Sequence, residues 1–393
     1  MACEATVSFL TQESGRYLPT LERRVFPRSI WLNIVRRGEW IPAMGTTINT
    51  LVYERSAPTS NPTWQSLATV PDGQEGGSCL PPTTKIPIAS TTRAFNLSRV
   101  AFEGPDICNI DIMPSFDLAN QLTSAYGVLG DYTKIVWEMR YRQEYFRLSQ
   151  TKISLNSNTA PATSTDGSPA YPAFCPTLPL AINTLRRISI SQFRDGAGAE
   201  SLLRNNGAPL LTVITDSETS GNIIRNNEAL RNDIRWSNRN NVLIDKFGVN
   251  FSFQEFVFLN DTTPRRFTCA GGVFTEVPAY VTVASTRGAK AVINPAWSSA
   301  PITETFIYDP SVMTILIPRP PTAPANGYRF DPVDYTGAIK VMNILDRECN
   351  PDGNIIWHRM IMGAATMPNQ PERGVAIAHL RCDPEGGVVA CAS

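Results

Sequence analysis

The clearest periodicity in the chain runs from about residue 115 to 150. Leu118, Leu122, Tyr126, Leu129, Tyr132, Val136, Met139 and Phe146 recur at spacings of three and four, broken only at Gln143. That spacing predicts one long amphipathic helix. At 1.5 Å per residue, Leu118 to Phe146 spans about 42 Å. Glu138 with Arg142, and Arg140 with Glu144, stand four apart and are expected to pair on the wet side. Gly127 and Gly130 predict a bend or a split, since each glycine costs roughly 1 kcal/mol in a helix interior.

Before the helix, "TTINTLVYER" (46–55) and "TKIPIASTTRAFNLSRVAF" (84–102) are rich in β-branched residues. They read as the two strands of a long hairpin spanning 38–100. Such a hairpin is marginal alone in water and needs a partner surface.

After the helix, short strands and helices alternate. "LRRISISQF" alternates as a strand does, and "LLTVIT" (210–215) is a second strand. The region "FGVNFSFQEFVFL" (247–259), "YVTVAS" and "ETFIYDPSVMTILIP" (304–318) add further strands. Beyond 339, "IKVMNIL", "NIIWHRMIMGAA" and "GVAIAHLRC" are separated by two turn regions and predict a terminal antiparallel sheet. The fold class is α+β.

Three stretches have no usable period: 56–82, 155–180 and 318–332, all rich in proline, glycine and small polar residues. Unstructured loops beyond roughly 12 to 15 residues are uncommon in compact domains. The first holds Trp64, and the second holds Tyr171, Phe174 and Cys175, apolar groups that disordered tails lack. Arms that gain order on neighbouring subunits account for both features; disorder is the competing account.

Composition narrows the picture. Charged residues are 18% of the chain, below the roughly 25% usual for soluble proteins. Acids and bases balance at 35 each, so no global field draws the chain to nucleic acid or anionic lipid. Only six of the basic residues are lysine. Arginine enrichment fits interfaces, and genomic base composition explains it equally well. The eight cysteines form no Cys-x-x-Cys pair, which points to a reducing cytoplasm and mostly free thiols. No apolar run reaches the ~20 residues a membrane helix needs.

Chemistry is scarce. "VITDSETSGNIIRNN" has a strand–turn–helix shape but one glycine, Gly221, and no Gly-Lys-Ser/Thr, so it lacks a phosphate cradle. Asp216, Ser217, Thr219 and Ser220 are helix-capping types. The helix after them is expected to bury Ile223, Ile224, Leu230 and Ile234. Only His358 and His379 could serve a Ser or Cys nucleophile, and no Gly-x-Ser-x-Gly elbow is present. A metal set of His379, Cys382 and Cys391 is conceivable but poorly spaced. No catalytic, cofactor-binding or metal residue is assigned, and no cofactor is expected. The arginine pairs 23–24, 36–37, 186–187 and 265–266 are scattered among acids and offer at most non-specific phosphate contact.

The order of parts resembles the major capsid proteins of tailed bacteriophages, with their Hong Kong 97-like fold. "PLLTVITDSETSGNIIRNNEALRNDIRW", "FGVNFSFQEFVFLNDTTPRRF" and "INPAWSSAPITETFIYDPSVMTILIP" are similar to that family's axial and peripheral segments. The resemblance implies an N-terminal arm (1–37), an extended loop (38–100), and a peripheral domain (101–180 and 335–393) carrying a spine helix at about 115–150. An axial domain (181–334) completes the set. It implies a non-enzymatic virion subunit, made in the host cytoplasm. Copies would form hexamers and pentamers that close an icosahedral shell around double-stranded DNA, with room for portal, scaffolding and cement proteins and no membrane. No long coiled segment precedes the loop, so a scaffolding protein is expected to be separate or absent. The family's lysine–asparagine cross-link cannot be placed on this sequence. An encapsulin-like compartment and a hydrolase with a dispersed site are the alternatives.

Overall fold

A computed structural model of the chain describes residues 30–40, 47–54, 89–96, 98–103, 107–108, 135–156, 162–164, 170–189, 203–205, 208–237, 249–253, 255–285, 288–318, 335–336, 339–346, 355–368 and 373–381. The stretch 56–82, residues 319–332 of the third loop, and the first part of the 115–150 helix lie outside them.

In chain order the strands are β1 (Arg36–Trp40), β2 (Thr47–Glu54), β3 (Ala89–Asn96), β4 (Ser98–Glu103) and β5 (Ile107–Cys108). Then come β6 (Thr151–Ser154), β7 (Ala162–Ser164), β8 (Leu203–Asn205), β9 (Ala208–Asp216), β10 (Val249–Phe253) and β11 (Phe256–Asp261). β12 (Arg266–Ala270), β13 (Val273–Val277), β14 (Tyr280–Ser285), β15 (Gly288–Ile293) and β16 (Ile302–Tyr308) follow. The last are β17 (Met313–Pro318), β18 (Tyr335–Thr336), β19 (Ile339–Asp346), β20 (Ile355–Pro368) and β21 (Val375–Leu380).

The larger, ten-stranded sheet runs β10-β11-β9-β16-β21-β6-β7, with β8, β12 and β13 attached. β16 is antiparallel to both β9 and β21, while β9 and β11 are parallel. All seven residues of β16 are buried. A strand covered on both faces needs apolar or hydrogen-bonded groups at every position, not alternate ones. On one face Ile307, Val213, Phe258, Phe256, Val375 and Ile377 form the main core. Leu185, Ile223 and Leu230, from the helices Ile182–Ser189, Ser217–Arg225 and Glu228–Ser237, join it. On the other face Phe306 and Tyr308 meet Trp31 and Tyr145 at ring-centroid distances of 5.1 to 6.0 Å. Tyr145 Oη donates to Ile307 O (2.9 Å) and Tyr308 Oη to Ile34 O (2.9 Å), so both phenols are satisfied inside.

The seven-stranded sheet, β1-β17-β20-β19-β18 with β4 and β5, is organised by the 14-residue β20. β14–β15 and β2–β3 form separate two-stranded ribbons.

Four expectations change. "LRRISISQF" begins as a helix, not a strand, because Leu185 and Ile188, three apart, both reach the main core. The terminal residues do not form one antiparallel sheet: β19 and β20 pair together, but β21 lies in the other sheet, parallel to β6. The 135–148 helix buries Trp137, Tyr141, Tyr145, Phe146 and Leu148, leaving Val136 and Met139 only half-buried. The large aromatic stripe outweighs the aliphatic one, since each ring removes more apolar area from water. That rotation carries Glu138 and Arg142 inside, both 2% exposed, instead of pairing them on the wet face.

Candidate functional site

The strand-to-helix turn after β9 is built as a cap. Asp216 Oδ1 accepts from Thr219 N at 2.6 Å, and Asp216 is the N-cap of Ser217–Arg225. Ser220 Oγ reaches Asp216 O (3.0 Å) and Asn260 Oδ1 (2.7 Å). The next helix repeats the device, with Leu230 N donating to Asn227 Oδ1 at 3.0 Å. The side chain of Asp216 supplies the negative charge that a helix N-terminus attracts, which leaves the turn no vacancy for phosphate. Ile223 and Leu230 are buried and Ile224 half-buried, as the apolar spacing predicts; the Ile234 side chain lies outside the described residues.

Around that cap lies a charge cluster, buried except at Glu218. Arg266 Nη2 stands 4.0 Å from Asp216 Oδ2 and 3.5 Å from Glu218 Oε1, and Arg381 Nε pairs with Glu218 Oε2. Arg266 also stacks on Trp297 at 3.8 Å and donates to Trp297 O at 3.1 Å. Two cations and two anions balance. Burial, and then the neighbouring Arg381, lower the Arg266 pKa.

His379 is fully buried on β21. Its Nε2 bonds Thr305 Oγ1 at 2.8 Å, its Nδ1 bonds Leu380 O at 3.0 Å, and Thr305 Oγ1 bonds Thr215 Oγ1 at 2.8 Å. The carbonyl fixes the tautomer: Nδ1–H donates and Nε2 accepts. Desolvation pushes the imidazole pKa down, so the ring stays neutral. Both nitrogens are occupied in a seam across three strands, which removes His379 from metal binding and from base catalysis. Cys382 and Cys391 lie outside the described residues, as does the His358 side chain. Among the described residues no group of three or more His, Cys, Asp or Glu could hold a metal ion.

On the opposite face Glu304, also buried, accepts from the Tyr171 hydroxyl and faces Arg265 Nη1 at 3.4 Å. Burial raises the pKa of both Glu304 and Tyr171. Arg265 further pairs with Glu276 (2.8 Å) and lies 4.6 Å over the Phe146 ring. The Arg265–Arg266 pair is thus turned into its own chain and offers nothing to a phosphate backbone. Arg186 faces Glu255 at 3.6 Å.

Sequence reasoning missed the structural use of residues 170–180. The segment crosses its own sheet, with Thr177 N donating to Leu155 O (2.7 Å) and Leu380 N to Leu178 O (3.0 Å). Cys175 is bonded to Cys269, correcting the expectation of free thiols for this pair. The signal was the cluster of Tyr171, Phe174 and Cys175 in an otherwise polar stretch. Spacing carried no hint, because the partner is 94 residues away.

Among the described residues, two ribbons stand outside the large sheets in strand pairing. β2–β3 pairs strand to strand over eight positions, from Thr47↔Asn96 to Glu54↔Ala89, and neither strand joins another sheet among the described residues. β14–β15 is a second such ribbon, with Val283 47% and Ile293 59% exposed.

No protein-family model matches the chain, and no curated protein does. Among solved structures, the chain is similar to the capsid of Ralstonia phage GP4, at 12% identity and TM-score 0.46, covering 89% of this chain and 88% of that one. It is similar to the cyanophage Pam1 capsid asymmetric unit at 10% identity and TM-score 0.47, covering 91% and 93%. The capsid of Helicobacter pylori bacteriophage KHP30 is similar at 8% identity and TM-score 0.46, covering 90% and 92%.

Proposed function

We propose that the chain is a major capsid subunit of a tailed phage, which self-assembles into an icosahedral shell around double-stranded DNA. The observation that carries this reading is the β2–β3 ribbon. Eight residues per strand extend about 26 Å, and the ribbon joins neither large sheet among the described residues. A two-stranded ribbon alone is marginal in water and gains stability only against another surface. In a chain whose described catalytic candidates are consumed in internal bonds, the natural surface is a second copy.

The element order fits the same reading: hairpin, helix, mixed α/β unit, late strands returning to early ones. On this view 1–37 is the arm and 38–100 the loop laid across a neighbour. The helix within 115–150 runs along the shell, 101–180 with 335–393 forms the periphery, and 181–334 gathers near the symmetry axes. The chain does structural work and no catalysis. Portal, scaffolding and cement proteins would be its partners, and the virion its final location, reached from the host cytoplasm. Among the described residues no helix is long and apolar enough to cross a membrane.

Expression of the full chain, followed by sedimentation and negative-stain microscopy, tests the proposal. Rings or closed shells are the expected outcome. A monodisperse monomer at high concentration would refute it. Protein cargo in place of nucleic acid inside purified particles would turn the reading to an encapsulin-like compartment.

A further inference from the structure

The 170–180 strap is held by two independent kinds of bond. The first needs no sulfur: Ser154 Oγ donates to Phe174 O (2.6 Å), Thr177 N to Leu155 O (2.7 Å), Leu380 N to Leu178 O (3.0 Å), and the Tyr171 phenol to Glu304. These contacts hold the strap to β6, β16 and β21, and the Tyr171 ring meets Phe267 (6.0 Å) and Phe274 (5.1 Å) of the β12–β13 hairpin. The fit there is close. Gly272, at φ +84°, turns the hairpin against Ala173, and a Cβ at that position would stand 2.3 Å from the Ala173 carbonyl oxygen. Contacts that involve no sulfur thus hold the strap where Cys175 and Cys269 are neighbours, 5.6 Å apart at Cα.

The second bond is Cys175–Cys269 itself. Both cysteines are half-buried and flanked by exposed residues, Phe174 on one side and Thr268 and Ala270 on the other. Exchange requires a small reagent to reach one sulfur of the docked strap, which the partial exposure of both residues favours. The loop that the bond closes carries β8 to β11 and the three helices of the main core face.

We propose that Cys175 and Cys269 form a redox latch, closed after folding by exchange with a low-molecular-weight disulfide. One cysteine thiolate attacks the small disulfide RSSR and expels RS⁻, leaving a mixed disulfide. The other thiolate attacks the protein sulfur of that bond and expels a second RS⁻. The two protein thiols are oxidised, RSSR is reduced to two RSH, and the thiol protons end on the departing thiolates. Closed, the latch ties entry and exit of the α/β segment together; open, the strap stays docked by hydrogen bonds alone. A subunit made in a reducing compartment would fold first and lock on leaving it.

The test reads single chains, so its outcome is separate from whether shells form. Cells making the full chain in a reducing cytoplasm are lysed into iodoacetamide, and peptides are mapped by mass spectrometry. Cys175 and Cys269 are expected as alkylated thiols. In a second portion purified without iodoacetamide, oxidised glutathione should link 175 to 269 and raise the unfolding midpoint by about 5 °C, and dithiothreitol should reverse both. Cys175→Ser and Cys269→Ser should fold to the reduced midpoint and respond to neither reagent. A bond already present at lysis, a linkage to other cysteines, an unchanged midpoint, or serine variants that do not fold would each overturn the proposal.

Discussion

Replacing Asp261 by alanine tests whether the sheet and the 135–148 helix are joined by charge. Arg142 Nε and Nη2 hold the two oxygens of Asp261 at 2.7 and 2.8 Å, and the two side chains are 2% and 4% exposed. Thr263 N (3.0 Å) and Trp31 Nε1 (3.4 Å) also donate to the carboxylate. In Asp261→Ala the guanidinium keeps, among the described residues, the bond to Thr263 Oγ1 at 3.3 Å. A buried charge stripped of its partner costs about 3–5 kcal/mol. Counting instead two charge-assisted bonds at roughly 1.5–3 kcal/mol each gives a similar range. A loss of about 4 kcal/mol is a thousandfold shift towards the unfolded chain. Urea titration of unassembled chain, read by tryptophan emission, measures it, and Trp31 sits at the lesion. The double variant Asp261→Leu with Arg142→Met removes both charges and should recover most of the loss, because neither partner is left stranded. A single-variant loss below about 1 kcal/mol, or a double variant worse than the single, would show that this pair does not bear the contact.

Other outcomes follow from the same geometry. Gly272→Ala should destabilise the chain by about 1–3 kcal/mol, from its left-handed backbone and its clash with Ala173, measured as a fall in the urea midpoint. Gly221→Ala should do the reverse, gaining up to about 1 kcal/mol, since a Cβ there meets nothing within 4 Å. Asp216→Ala should cost about 1–2 kcal/mol as a lost cap, seen in the same titration, whereas a phosphate-binding turn would instead show phosphate-dependent protection of the wild type. For His379 the folded pKa lies below the ordinary 6.5, so the unfolded chain takes up the proton first. Its contribution to stability is present above about pH 6.5 and falls as pH drops towards the folded value. His379→Gln should flatten that part of a stability–pH profile.

Much of the sheet architecture was legible. β9, β11, β16, β17 and β19 to β21 announce themselves as apolar runs, and the Asp216 cap is written in residue types. The helix face was not legible, because two stripes coexist in 135–148. Val136 and Met139 follow one, Trp137, Tyr141, Tyr145 and Leu148 the other, and only the packed fold shows that the aromatic stripe is the one buried. The strap failed for a related reason: two of its anchors, Glu304 and Cys269, come from distant chain, and no local period encodes them. Nothing in the sequence around His379 told that its ring would be bonded to Thr305.

β20 has a consequence for how the chain comes off the ribosome. Its successive segments are the hydrogen-bonding partners of β5 at Ile355, of β4 from Arg359 to Ala364, and of β17 from Ala365. β6, likewise, pairs with β21. Strands translated within the first two-fifths of the polypeptide thus wait, with an edge bare, until the final forty residues emerge. Slow, late-closing pairing of this kind exposes sticky edges during synthesis, so yield of native chain should depend on chaperone capacity more than on the stability of the finished fold.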